Sequence, residues 1–141
     1  MCSEPTAVLR NWQSVVVGKV REVVFDCERA PSLARFWAAA LDGYEVRPYD
    51  DAEVQRLAQL GLTPETDPTV MVDGPALTLC FQQVAERKSG KNRVHLDLTS
   101  DDRLREVRRF EQLGAVSQTE YEDHTTMLDP EGNEFCIADP R

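Results

Sequence analysis

Two periods of apolar residues alternate along the chain. The stretch from about Lys19 to Cys27 reads as a strand, after which Ala30, Leu33, Ala34, Trp37 and Leu41 recur at helical spacing. Pro31 falls in the first turn of that helix, where its missing N–H costs nothing, and Gly43 supplies the stop. Tyr44 to Pro48 reads as a second strand, and strands near Val70 to Val72 and Ala76 to Val84 follow. Between Tyr49 and Pro68 lies an insertion: Ala52, Val54, Leu57 and Leu60 form a short amphipathic stripe after two aspartates, with Gly61 at its end. Such a one-sided helix either packs over a cleft as a lid or serves as a plain connection.

The second half repeats the plan without the insertion. Val94, Leu96 and Leu98 alternate with Arg93, His95 and Asp97, a period of two that sends the apolar set toward a helix layer and the polar set to the opposite face. Ser100 can cap the helix that follows, whose stripe is Leu104, Val107, Phe110 and Leu113, with Gly114 just past its end. Thr125 to Leu128 and Glu134 to Ala138 read as strands joined by a tight turn over Asp129 to Asn133. The two similar units predict a pseudo-symmetric α+β fold with a shared cleft: an N-terminal arm over 1–18, then one domain over 19–141. Its first unit spans about 19–85, a polar linker 86–91, and the second unit 92–138.

Composition narrows the function classes. A net charge of −9 opposes nucleic-acid binding, which needs a coherent basic surface. The local cluster Arg103, Arg105, Arg108 and Arg109 reads as a solvated helix face paired with Glu106 and Glu111. No run is long enough to span a membrane, and the first residues lack the pattern of a signal peptide, so a cytoplasmic protein is expected. Cys2, Cys27, Cys80 and Cys136 form no C-x-x-C pair and are expected as free thiols, with Cys27 facing the helix layer. Phe36 and Trp37 are expected in the core, and His124 on a strand rim.

The segments FDCERAPSLARFWAAAL, KNRVHLDL and DPEGNEFCI resemble the glyoxalase/bleomycin-resistance/extradiol-dioxygenase superfamily, the vicinal oxygen chelate proteins, and among them short actinobacterial glyoxalase-like domains. The resemblance implies two βαβββ units forming a curved, open barrel-like mixed sheet with helices outside. Members that use a metal take ligands from the start of the first strand and the middle of the last strand of each unit, usually His, Glu or Gln. The matching positions here are Glu22, Cys80, His95 and Cys136.

The essential glutamate is therefore replaced by Cys136, with Glu134 two residues earlier on the same strand face. Hard divalent ions prefer oxygen and imidazole, so a metal-free cleft is the favoured reading. A site for Zn, Mn, Ni or Fe on Glu22, Cys80, His95 and Cys136, or on Glu134 or Gln82 by a register shift, is the alternative. In a metal-free cleft His95 can act as acid or base with Glu134 or Glu22 orienting it, while Glu22, Asp26, Thr78, Gln82, Arg93 and Asp97 face a ligand. The same polar row could instead close on itself as a network of ion pairs and hydrogen bonds. The leading functional expectation is a homodimer binding a small organic molecule, comparable to the drug-sequestering members. The alternative is a metal-dependent lyase, isomerase or dioxygenase acting on vicinal oxygens.

Overall fold

The computed structural model describes residues 17–141, so most of the arm expected over 1–18, Cys2 included, lies outside the described residues. The elements run β1 (Glu22–Cys27), α1 (Ala30–Ala40), β2 (Glu45–Val46), α2 (Asp51–Gln59), β3 (Thr69–Asp73) and β4 (Thr78–Gln83) in the first unit. The second unit contains β5 (Asp97–Thr99), α3 (Arg103–Leu113), β6 (Val116–Glu120), β7 (His124–Leu128) and β8 (Glu134–Ala138). They build two four-stranded mixed sheets, ordered β1-β4-β3-β2 and β5-β8-β7-β6, each with one parallel pair that needs a crossover. The identical order is the expected pseudo-symmetry, and among the described residues no barrel is closed.

The register makes the correspondence between units explicit. Val24 pairs with Cys80 in the first sheet and Asp97 with Cys136 in the second, so Glu22 and His95 occupy matching places two residues earlier. The alignment of those four positions by sequence holds in the strand pairing.

One core serves both units. Leu33, Ala34, Phe36 and Trp37 on α1, Leu79 and Phe81 on β4, Phe110 on α3, and Phe135 and Ile137 on β8 are all buried. Trp37 is its hub, 5.9 Å from the Phe25 ring on one side and 5.1 Å from Phe135 on the other, in tilted and edge-on geometries. Its indole N–H donates to Asp129 Oδ2 at 3.2 Å, and Asp129 also accepts from the backbone N–H groups of Glu131 and Asn133 and from the Asn133 amide. The turn after β7 thus reaches into the helix of the other unit. Beside it, the Glu131 carboxylate accepts from the backbone N–H groups of Glu28 and Arg29 at the start of α1, where a helix dipole favours an anion.

Several local expectations need correction. The strand expected over 93–98 begins only at Asp97, because the backbone bends at Arg93 and Val94 and the Asn92 N–H is taken by the Glu134 side chain rather than a strand partner. Val94 is therefore 76% exposed instead of facing the helices. Asp102, not Ser100, caps α3 by accepting from Arg105 N at 3.0 Å; Ser100 Oγ accepts one step earlier, from Asp102 N. Of the α3 stripe only Phe110 is fully buried, while Leu104 and Leu113 are exposed; of the α2 stripe only Leu57 is buried. The expected pairing of Arg109 with Glu106 forms, but Arg103 is a buried clamp rather than a solvated side chain, and Arg109 also reaches beyond its own helix. Arg103 bonds Asp139, Thr125 and the carbonyls of Tyr121 and Glu122, and Arg109 donates to the carbonyls of Ala39 and Ala40 at the end of α1. No helix among the described residues is long and apolar enough to cross a membrane.

Candidate functional site

Where β1 meets the segment leading into β5, the two units leave a slit of about 210 Å³. Strand alternation explains its lining. Val23, Phe25, Leu96 and Phe135 point inward with Trp37 and form an apolar floor, while Val24, Asp26, His95 and Glu134 belong to the opposite strand face and form the rim with Asn92 and Asn133. The floor belongs to the aromatic core, so it is rigid. The rim carries two carboxylates, Asp26 and Glu134, one imidazole and two amides.

Glu134 is the best-held rim residue. Its carboxylate accepts from Asn92 N at 3.0 Å and from Lys88 Nζ at 3.3 Å, which also fixes the linker between the units. Burial pushes the Glu134 carboxyl upward, but the N–H donors of Asn92 and its own backbone together with Lys88 outweigh this and hold it below the ordinary carboxylate value. It is an anion at neutral pH and a poor proton donor.

The other candidates divide by sheet. In the first, Glu22 is half-buried and pairs with Arg21 at 3.0 Å, and Thr78 donates to Asp73, itself held by Arg47 at 2.7 and 2.8 Å. Gln82 and Asp26 stand exposed on the same open face. Cys80 is buried, and desolvation there, with Glu22 nearby, pushes its thiol pKa up. In the second sheet Arg93, His95 and Asp97 are exposed, and among the described residues their side chains make no hydrogen bond or ion pair. Among the described residues the self-satisfied network is not formed, since none of its expected pairs is in bonding range.

His95, Asp97 and Cys136 come together: one ligand atom from each lies within 4.8 Å of the others. Glu22 and Cys80 do not join them, so the four places that serve metal-using relatives are not assembled around one point. Cys80 is further unsuited by its burial and raised pKa, which keep it a neutral thiol. The group of three lines a separate depression of about 460 Å³ whose other wall includes Asp123, His124, Asp139 and Arg141. His95 is common to slit and depression.

His95, Asp97, Asp26 and Glu134 are expected at a site from strand alternation, whereas Asn92, Asn133 and the aromatic floor are not. Trp37 and Phe135 look like core on any helical or strand pattern; that the core is open at one end is a property of the bend at Arg93. His124, expected on a strand rim, begins β7, its Nδ1 2.7 Å from Asp123 Oδ1 and its ring stacked on Tyr121.

A family model for a glyoxalase-like domain matches residues 22–138. Among solved structures, a hypothetical protein, SA1046, from S. aureus superposes with a TM-score of 0.62 at 12% identity, covering 89% of this chain and 96% of that one. The fosfomycin resistance protein FosX from Mesorhizobium loti gives 0.61 at 12% identity, over 87% of this chain and 92% of its own. A member of the glyoxalase/bleomycin resistance protein/dioxygenase superfamily from Sphaerobacter thermophilus gives 0.58 at 16% identity, over 88% and 98%. At these identities the likeness is one of fold. No curated protein matches the chain by sequence.

Proposed function

The chain belongs to the glyoxalase-like domain family, and from that premise we propose that it binds a small organic molecule in the slit between its two βαβββ units without the family's four-place metal set. The observation that carries this reading is the pairing of a rigid floor of Phe25, Trp37 and Phe135 with a polar rim of Asp26, Asn92, His95, Asn133 and Glu134. Apolar floors with a few convergent polar groups are the usual form of small-molecule sites. Glu134 is already paired with Lys88 and Asn92, so Asp26 is the rim carboxylate without a partner among the described residues, and the fitting ligand has a compact apolar or aromatic body and one hydrogen-bond-donating or cationic head. His95, exposed and unpaired among the described residues, is the group free to exchange a proton with it.

A homodimer is part of the same reading, supported by open sheet faces that leave Val24 47% exposed and by β6, exposed along its whole length. Free Cys27, Cys80 and Cys136 support a reducing, cytoplasmic setting.

The test is ligand screening by quenching of Trp37 emission in a Trp12→Phe background, using small aromatic amines and amides. A ligand that quenches and loses at least about tenfold in affinity in Val24→Phe, which fills the mouth without adding an indole, or in Asp26→Asn supports the reading. Binding indifferent to both substitutions rejects it. A second reading, a divalent-metal-dependent lyase, isomerase or dioxygenase, draws support from the His95, Asp97 and Cys136 group and from the fosfomycin resistance and dioxygenase relatives of the fold.

A further inference from the structure

We propose that the open face of the second sheet carries a site for zinc or a similarly thiophilic divalent cation, with His95, Asp97 and Cys136 as its ligands. The site adjoins the slit and shares His95 with it, so a bound ion takes that imidazole from the slit rim, while the apolar floor and Asp26 stay untouched. It also departs from the family's four-place pattern, because all three ligands come from one unit and a thiolate stands where a carboxylate is usual.

The strand pairing builds the set. Asp97 and Cys136 are register partners on the parallel strands β5 and β8, so their side chains emerge side by side, about 4.8 Å apart at the backbone. His95 precedes Asp97 by two residues and shares its face. The nearest ligand atoms of the three lie within 4.8 Å of one another. Bonds of about 2.0 to 2.3 Å to a tetrahedral zinc ion place ligand atoms roughly 3.3 to 3.8 Å apart. Closing the set therefore asks for shifts of about 1 Å, well within the torsional freedom of two exposed side chains and one half-buried one.

The electrostatics agree. A thiolate and a carboxylate together match a divalent charge, and among the described residues neither His95 nor Asp97 is committed to another side chain. Cys136 Sγ lies 3.7 Å from Thr126 Oγ1, a hydroxyl placed to donate to a thiolate and orient it. Sulfur and imidazole select zinc-like ions over magnesium, calcium or manganese. Three protein ligands leave a coordination position facing the depression, the arrangement of zinc sites that take an exchangeable water or ligand atom.

The test uses the full-length protein stripped with a chelator. Cobalt(II) added to it should bind once per chain and produce a near-ultraviolet thiolate-to-cobalt absorption band, which zinc then abolishes by displacement. Cys136→Ser should remove the band. His95→Ala, Asp97→Asn and Cys136→Ser should each weaken zinc binding by more than about 100-fold, beyond what loss of an outer-shell partner causes. Cys80→Ser should keep both band and affinity, and circular dichroism checks that each variant is folded. In the unmodified protein, zinc should protect Cys136 from iodoacetamide, a readout that needs no variant. Cobalt bound without the band, a band that survives Cys136→Ser, or unprotected Cys136 would overturn the site. Quenching of Trp37 by slit ligands in Cys136→Ser is measured separately, so failure here does not touch the binding reading.

Discussion

The three described cysteines show how much one residue type varies with its surroundings. Cys27 packs under the helix layer, and burial is the main reason its pKa rises from 9.0 to about 12, with Glu131, Asp26 and Asp129 adding to it. An acid with a raised folded pKa stabilises the fold fully below its unfolded value, and that contribution is lost as pH rises from about 9 toward 12. At pH 8, iodoacetamide mapped by mass spectrometry should modify Cys136 first and leave Cys27 and Cys80 intact until the chain unfolds. Equal rates at all three would contradict the burial. Asp129 is the other residue on which much converges, since it is 3% exposed and serves Trp37, Glu131 and Asn133. Asp129→Ala should lower stability by roughly 3 kcal/mol, as hydrogen bonds to a charged group are lost and an indole N–H is left buried without a partner. Urea unfolding reads this directly.

Among the elements, those with strong punctuation could be read from sequence and those decided by distant partners could not. Pro31 marked the start of α1, Gly114 with φ 117° closes α3, and the Asp129–Asn133 turn lies where its composition put it. The β5 boundary departs from the pattern because the period of two continues through Val94, while the backbone there answers to Glu134, far along the chain. The α3 arginines look like a solvated face by spacing alone. Nothing local announces that the Arg103 side chain, 10% exposed, is tied to Asp139, Thr125 and the β6–β7 turn. Arg103→Ala should cost about 2 kcal/mol and should speed amide exchange in that turn more than elsewhere. Its failure to do so would return Arg103 to the solvent. α2 is anchored by Leu57 alone among its residues, so Leu57→Ala should loosen that helix in hydrogen exchange while β4 and β8 keep their protection.

At the scale of the molecule, the repeated strand order was legible because two apolar patterns match, and the fit of a family model over 22–138 agrees. Candidate site residues were only partly legible: strand alternation identifies which side chains share a face, but not which faces meet. The grouping of His95 with Asp97 and Cys136, which Glu22 and Cys80 do not join, rests on the register of β5 against β8. Acid tolerance is also collective. Hydrogen bonds from Arg47 and Arg109 hold the Asp73 and Glu106 carboxyls below their ordinary values. Carboxyls depressed in the fold stabilise it above their unfolded values near 4 and lose that contribution as pH falls through the folded ones. The urea midpoint should thus hold between pH 7 and 5 and drop by pH 3, less so in Asp73→Asn.

The Asp129 and Glu131 turn, which reaches from the second unit to Trp37 and the start of α1, implies that the covalent link between the halves is not what joins them. A chain cut within 86–91 should behave as a complementing pair. Fragments 1–85 and 92–141, each unable to close the aromatic core alone, should restore native dichroism when mixed, and Asp129→Ala in the second should abolish the rescue. The halves are then partners in the sense of a dimer, and a fold of this kind could exchange them between copies without inventing a new contact.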